Sequence, residues 1–306
     1  MFRVLEVGPQ GPVEISEGAQ LVGPPPEGVF RWIDLAAQSD AELEVLRERF
    51  NFHPLAIEDC AHFDQRPKTE EYGDYLFVVT HGFACLSEDA GDLEVRELPS
   101  FLGRRYLVTV HAEPIEALEQ LWKRVAGDAP LLRRGTDFVY YLVADAIVDG
   151  NFPILDRIAD GLEDIETSVL ERTNQHDLTH IFKLKRALVT MRKALSPQRD
   201  VFGLLTKRGG SEHVSERTAL YFRDVYDHLV RITESIETNR DLLGNALEAY
   251  LSMVSQRTND IMKGLTLMSA IFLPLAFVVG FFGQNFDDFP GVKGWIHSDA
   301  LMYVMF

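Results

Sequence analysis

Two histidines, His176 and His180, stand four residues apart, a spacing that puts both imidazoles on one face of a helix, where they can share a zinc ion. No third ligand follows at a suitable spacing, and two ligands do not make a site. Just upstream, Asp156, Asp160, Glu163, Asp164, Glu166 and Glu171 crowd one stretch, which reads first as a solvated helix face and second as a surface that attracts cations. The two cysteines, Cys60 and Cys85, are too few for a disulfide framework and lack metal-site spacing, so they read as buried thiols in a reducing compartment. There is no phosphate-cradling glycine loop, no nucleophile elbow and no metal-ligand cluster of hydrolase type, which argues against an enzyme. What remains is acidity. With 47 acids against 30 bases the formal net charge is −17, which excludes a nucleic-acid partner and suits a protein that concentrates cations at its surface.

The elements that must position these residues change in character along the chain. In the first third, FRWIDL (30–35), DYLFVVTHGF (74–83) and RYLVTVH (105–111) are rich in β-branched and aromatic residues and read as strands. Between them SDAELEVLRERF has a helical pattern behind a candidate N-cap, Ser39, and HPLAIED (53–59) reads as a short helix with proline near its start. The implied arrangement is a sheet flanked by helices. From about Pro114 the apolar spacing becomes three and four, predicting helices over 114–126, 136–172 and 177–205. From about Glu216 one helical pattern runs on without a breaker. Its seam is Val225, Leu229, Ile232, Ile236, Asn239, Leu243, Leu247, Tyr250, Val254, Thr258, Ile261, Leu265, Met268 and Phe272, a mean spacing of about 3.6. At 1.5 Å per residue this helix reaches about 90 Å, far beyond an ordinary globular one.

Its end is free of charge. Residues 264–286, GLTLMSAIFLPLAFVVGFFGQNF, span about 34 Å as helix, enough to cross the hydrocarbon core of a bilayer. Pro274 would break a water-exposed helix but is tolerated in a membrane bundle, where neighbouring groups satisfy the freed carbonyl. Arg257 and Lys263 flank one side and Asp287 and Asp288 the other, which puts the large N-terminal part in the cytoplasm. The opening MFRVLEVGPQGPVEI has neither the basic start nor the apolar run of a secretion signal. After a short polar loop, ALMYVMF (residues 300–306) is apolar again, the beginning of a second membrane helix that needs roughly a dozen more residues to span.

At Gly283-Gln284-Asn285 the pattern becomes recognisable. FLPLAFVVGFFGQNF, a proline-bearing span closing on G-x-N before a short acidic loop, resembles the CorA magnesium transporter family, as do HPLAIEDC (53–60), QRPKTEEYGDYLFVV (65–79), YFRDVYDHLVRITESIETNRDLL (221–243) and YLSMVSQRTNDIMKGLTL (250–267). The resemblance implies an α+β fold: a cytoplasmic α/β domain with a helical hairpin (1–215), a stalk helix (216–263), a first membrane helix (264–286), an outer loop (287–298) and the start of a second membrane helix (299–306). It further implies a funnel-shaped homopentamer in a bacterial-type inner membrane, in contact with lipid, that conducts Mg²⁺ or, in relatives, Co²⁺, Ni²⁺ or Zn²⁺.

Site residues follow from the same resemblance. Gly283, Gln284 and Asn285 form the selectivity filter, where uncharged acceptors bind a hydrated ion weakly enough to release it. An ordinary helix C-cap is the competing reading of Asn285. Glu248, Asn259, Met262, Leu265, Thr266 and Leu273 line the pore, its apolar rings closing by dewetting. Asp224 supplies one carboxylate of a regulatory divalent-cation site between subunits, with Asp89 or Glu88, or else Asp92, as its partner; a surface ion pair with Arg223 or Arg217 is the plainer alternative. The sequence departs from the family at Gln284, where methionine is usual, and at Ala276, where threonine is frequent. Gln284 keeps zinc or another transition metal open as the cargo, and a non-conducting metal sensor is the reading furthest from transport.

Overall fold

The computed structural model describes residues 2–17, 23–36, 40–62, 64–87, 91–172, 175–207 and 209–283. They form two units, Met1–Ala249 and Tyr250–Phe306. In the first, seven strands make one sheet: β1 (Phe2–Val7), β2 (Glu14–Glu17), β3 (Phe30–Ala36), β4 (Lys68–Glu71), β5 (Tyr75–Cys85), β6 (Leu93–Gly103) and β7 (Tyr106–His111). The order is β2-β1-β3-β7-β6-β5-β4, and β3 and β7 are the parallel pair in an otherwise antiparallel sheet. The three strands expected from apolar runs, β3, β5 and β7, occupy inner positions, where both faces are covered and residues are buried without alternation. Those the sequence reading passed over, β1, β2, β4 and β6, carry charge or proline among their apolar residues, as in KTEE and LEVRELPSFLG.

One sheet face holds Ile33, Leu35, Phe77, Val79 and Phe101 against α1 (Asp40–Phe50) and α2 (Pro54–Ala61). The expected start of α2 is seen in full: Pro54 sits in the first turn and His53 caps it, its Nδ1 accepting from the Leu55 amide at 3.3 Å. The other face packs on α3 (Glu116–Gly127), the short α4 (Ala129–Arg133), α5 (Thr136–Asp149) and α7 (Gln175–Leu205). The single helix expected over 136–172 is two, α5 and α6 (Phe152–Arg172). The chain turns at Gly150-Asn151, where the Asn151 amide donates to the Ile147 and Val148 carbonyls and so takes over groups at the end of α5. Cys60 is buried as expected, but Cys85 is only half-buried at the end of its strand. On α6, Asp156, Asp160, Glu163, Asp164 and Glu166 are exposed while Ile158, Leu162 and Ile165 are buried, so the acidic run is a solvated face. The candidate cap Ser39 lies outside the described residues.

Past the end of β4, the backbone of His81 has no strand beside it on that edge. Gln198 of α7, fully buried, fills the place: its amide accepts from His81 N at 2.6 Å and donates to His81 O at 3.2 Å.

A buried charge network ties the N-terminal strand to this core. Asp34 on β3 accepts from Arg3 Nε at 2.8 Å, from the Thr109 hydroxyl and, at 3.2 Å, meets His111 Nε2, while Arg3 also grips Glu119 of α3 with two further hydrogen bonds. Burial pushes the Asp34 carboxyl up, but His111, Arg3 and Thr109 together hold it below the ordinary carboxylate value.

The long helix is α8, Glu216–Phe282, 67 residues with Pro274 inside it. Within the first unit its seam is buried as expected at Val225, Leu229, Ile232, Ile236, Asn239 and Leu243, and Leu247 is half-buried. In the second unit the seam residue Tyr250 is still buried, but further along α8 is exposed: Ile261, Leu265, Met268, Phe272, Leu273 and Phe277 are all more than half exposed. The stretch Thr136–Val169 is also long and apolar enough to cross a membrane, but over half of its most apolar part is buried in the fold, whereas none of the corresponding part of α8 is.

Replacing Asp34 by alanine strands Arg3 in a largely buried site, and the expected loss is about 3 kcal/mol, the low end for a broken buried pair because Glu119 still holds the guanidinium. Since the carboxyl is held below its ordinary value, its contribution is complete above about pH 4 and disappears as pH falls through the folded-state value. Thermal unfolding followed by circular dichroism, wild type against Asp34→Ala at pH 7 and at pH 3, checks both; equal midpoints at pH 7 would remove the network from the fold's stability.

Candidate metal centre

The first turns of α5 and α8 are joined by one side chain. Gly135, at φ 119°, turns the chain into α5, and the Thr136 hydroxyl donates to Gly103 O at 2.8 Å. Asp137 then accepts through Oδ1 from the Phe138 amide at 2.8 Å and through Oδ2 from both the amide and the hydroxyl of Ser215, at 3.1 and 2.7 Å. Ser215 in turn caps α8, its Oγ accepting from Thr218 N at 3.2 Å. From this joint the two helices run on with aromatic contacts between them, Phe138 and Tyr141 against Tyr221, and Tyr140 against Phe222.

Eight and twelve residues beyond Asp137 lie Asp145 and Asp149; nine and thirteen beyond Ser215 lie Asp224 and His228. Each pair is spaced i,i+4 and so faces one way from its helix. The matched distances from the joint bring the pairs together. His228 Nδ1 is 2.7 Å from Asp149 Oδ1, His228 Nε2 is 3.7 Å from Asp224 Oδ1, and ligand atoms of Asp145, Asp149 and His228 lie within 4.8 Å of one another. Phe152 meets the His228 ring edge-on at 5.6 Å and helps fix its plane.

The electrostatics are those of a site short of positive charge. Burial, then Asp149 and Asp224, push the Asp145 carboxyl up to about 6, with His228 and Arg124 opposing, and its Oδ1 is buried without a hydrogen-bond partner. Burial and the same three carboxylates push the Tyr141 hydroxyl up to about 12. Three carboxylates and an imidazole with an orphaned buried oxygen fit a divalent cation, with oxygen ligands for Mg²⁺ and the imidazole for a softer metal.

Of the residues named from the sequence, Asp224 lies at the exposed edge of this cluster, and its ion pair among the described residues is with His228, not with Arg223 or Arg217. Glu88 and Asp89 lie outside the described residues. Asp92 is elsewhere engaged, accepting from Ser87 Oγ at 3.1 Å and lying 3.6 Å from Lys183 Nζ. Asp145, Asp149 and His228 were missed; the available signal was two acids four apart in the otherwise apolar FVYYLVADAIVD, mirrored by D-x-x-x-H in RDVYDH. His176 and His180 have ring centroids 6.3 Å apart, and among the described residues no third ligand completes a cluster there. On α8, Asn259, Met262, Thr266 and Leu273 fall within about 60° of one another at 100° per residue, with Leu265 about 60° beyond that stripe; all five are exposed, as is Glu248 in the first unit. Gly283 follows the helix, its amide bonded to Val279 O at 2.8 Å, and an added Cβ would meet that oxygen at 3.1 Å. Gln284 and Asn285 lie outside the described residues.

The α/β unit thus carries an acidic centre, and one of its helices continues into an exposed apolar segment long enough to cross a membrane. The family model described as CorA-like Mg2+ transporter protein matches residues 27–305. YfjQ of Bacillus subtilis is 36% identical over 267 residues, covering 87% of this chain and 81% of that one. The cobalt/magnesium transport protein CorA of Thermotoga maritima is 33% identical over 264 residues, 86% and 75% of the two chains. Among solved structures, the complete CorA magnesium transporter from Methanocaldococcus jannaschii superposes with a TM-score of 0.80 at 22% identity, covering 99% of this chain and 92% of that one. Full-length CmaX gives 0.78 at 23% identity, covering 99% and 93%. The chain belongs to the CorA-like family, whose members are divalent-cation transporters and not enzymes.

With burial and neighbouring carboxylates pushing Asp145 up to about 6, a divalent cation held at this centre would compete with a proton. The rise in melting temperature given by Mg²⁺ is expected to be large at pH 7.5, to shrink steadily below pH 6, and to lose this pH dependence in Asp145→Asn. A wild-type shift that is the same at pH 7.5 and pH 5 would take Asp145 out of the centre.

Proposed function

We propose that this chain is one protomer of a homopentameric, funnel-shaped channel that carries hydrated Mg²⁺ across an inner membrane, with its α/β unit in the cytoplasm. The observation that carries this reading is the last part of α8, residues 264–282: a charge-free helical segment exposed on all sides, which water would not tolerate, with Gly283-Gln284-Asn285 next in sequence. Five such helices around an axis would turn the stripe of Asn259, Met262, Thr266 and Leu273 inward, with Leu265 beside it and Glu248 lower down. Apolar rings there close the path by dewetting, and polar ones offer steps to a hydrated ion. At the mouth, five Asn285 carbonyls accept from metal-bound waters, with the backbone carbonyls of Gly283 and Gln284 beside them. Co²⁺ as a second cargo is supported by the cobalt/magnesium transport proteins of T. maritima and M. jannaschii. Gln284, in place of the family's usual methionine, favours a second reading in which zinc or another transition metal is the cargo.

In the same reading, Asp224, Asp145, Asp149 and His228 hold the regulatory cation, with Glu88 or Asp89 of a neighbouring subunit completing it. Uncompensated, these carboxylates repel; with the ion bound they draw the subunits together and shut the pore, a population shift driven by differential binding. High internal Mg²⁺ thus limits its own entry.

Asn285→Ala is expected to abolish Mg²⁺ uptake into proteoliposomes carrying a chain with both membrane helices, since it removes five acceptors at once. Gln284→Met is expected to keep the flux and shift the Mg²⁺ to Zn²⁺ ratio. Wild-type uptake by Asn285→Ala at equal incorporation would leave Asn285 a helix cap, and no uptake by the wild type of any divalent ion would favour a non-conducting sensor.

Asp224→Ala tests the regulatory half. At millimolar Mg²⁺ it is expected to lose protection against limited proteolysis and to raise influx severalfold. Unchanged protection together with unchanged influx would exclude Asp224 from gating.

A further inference from the structure

A cleft of about 840 Å³ opens in the first unit between the end of β5, the start of α3, the end of α5 and the start of α6. Three arginines line it, Arg96, Arg124 and Arg157, against one acid, Glu116. That is the reverse of the balance over the whole chain, whose formal net charge is −17. Arg96 is held in the wall by Glu94 at 2.9 Å and, more loosely, by Glu113 at 3.8 Å. Arg124 and Arg157 are exposed at the mouth, and neither makes an ion pair within 4 Å among the described residues. Between them the floor is apolar: Phe83, Leu121, Ile147 and Ile154. The first turns of α3 and α6 border the cleft with their positive ends, and the last turn of α5 borders it with its negative end, so two of the three helix termini there favour an anion.

We propose that this cleft binds a small organic phosphate of mononucleotide size, its flat apolar body on Phe83, Leu121, Ile147 and Ile154 and its phosphate between Arg124 and Arg157. A guanidinium fork matches phosphate oxygens in pairs, which an ammonium cannot do. The volume lies within the range of small-molecule sites, and an apolar floor with a few convergent charged groups is their usual make-up. A bare inorganic anion uses the arginines but leaves the floor wet, and a neutral nucleoside uses the floor but leaves the arginines unpaired; a molecule with both parts uses both.

The cleft and the metal centre share α5. Ala146, Ile147 and Gly150 line it from the same turns of α5 that carry Asp145 and Asp149, and Arg124 acts electrostatically on Asp145. A phosphate bound to Arg124 cancels a positive charge that opposes cation binding next door. Occupancy of the cleft therefore tightens divalent binding at the centre, and by linkage the cation tightens the phosphate by the same factor. This coupling rests on the regulatory centre proposed above; the binding of the phosphate does not.

Calorimetric titration of the full chain in detergent, at low salt and with a chelator to remove divalent ions, tests the site with adenosine monophosphate, adenosine and inorganic phosphate as probes. Adenosine monophosphate is expected to bind saturably, at least tenfold tighter than either of the others, and to weaken as salt is raised. Arg157→Glu and Arg124→Ala, both at exposed positions whose change leaves the core intact, are each expected to weaken it tenfold or more. Absence of binding, binding untouched by Arg157→Glu, or equal binding of inorganic phosphate would overturn the assignment. In a second arm, saturating adenosine monophosphate is expected to tighten Mg²⁺ about threefold. Unchanged Mg²⁺ affinity overturns the coupling alone, and a chain that takes up no Mg²⁺ without the nucleotide reveals a failure of the regulatory centre instead.

Discussion

One helix has to be stable in two solvents. Along its first turns α8 presents an apolar seam, Val225 to Leu243, to a protein interior and charged residues to water, the pattern of any amphipathic helix. Further on the sequence stops distinguishing faces, and Leu265, Phe272, Leu273 and Phe277 are exposed together. No breaker separates the two regimes; only the composition of the faces changes. Hydrogen bonds within the helix satisfy the backbone in either solvent, which is why helix rather than sheet can make this passage. Everything the α/β unit does for transport must act through an element whose far end it does not bury.

That requirement gives weight to the place where α8 begins. Asp137 accepts the Ser215 amide and hydroxyl, and Ser215 caps the helix, so a single carboxylate sets where α8 starts relative to α5. Asp224 and His228 then reach Asp145 and Asp149 because both helices advance by the same rise per residue from that joint. Carboxylates gathered in this way raise one another's proton affinity, and the orphaned Asp145 oxygen marks where an outside positive charge would be most effective.

Legibility in the sequence followed solvent. Strands covered on both faces, such as FRWIDL and RYLVTVH, are dense in β-branched and aromatic residues and could be read directly, as could α8 and its charge-free end. The outer strands β2 and β4 are short and polar because one side is solvated, and β6 hides behind Pro99 and three charges, so their pairing was visible only once the neighbours were placed. The turn at Gly150-Asn151 was missed because the period on either side is the same and a lone glycine is a weak signal within a helical pattern. The metal centre was half legible. Asp224 was singled out by the family motif around it, but Asp145 and Asp149 acquire meaning only from their distances to Asp137, one residue shorter than those of Asp224 and His228 to Ser215, and no local pattern records those.

The pairing of Gln198 with both backbone groups of His81 has a consequence for the edge of the sheet. An open strand edge is a template for any other extended segment, and identical subunits held side by side present the same edge at high local concentration. The carboxamide has the donor and acceptor of one peptide unit, so it serves as a strand one residue long, delivered from a helix. It terminates the ladder instead of extending it, so at His81 the edge offers no free backbone group to another extended segment.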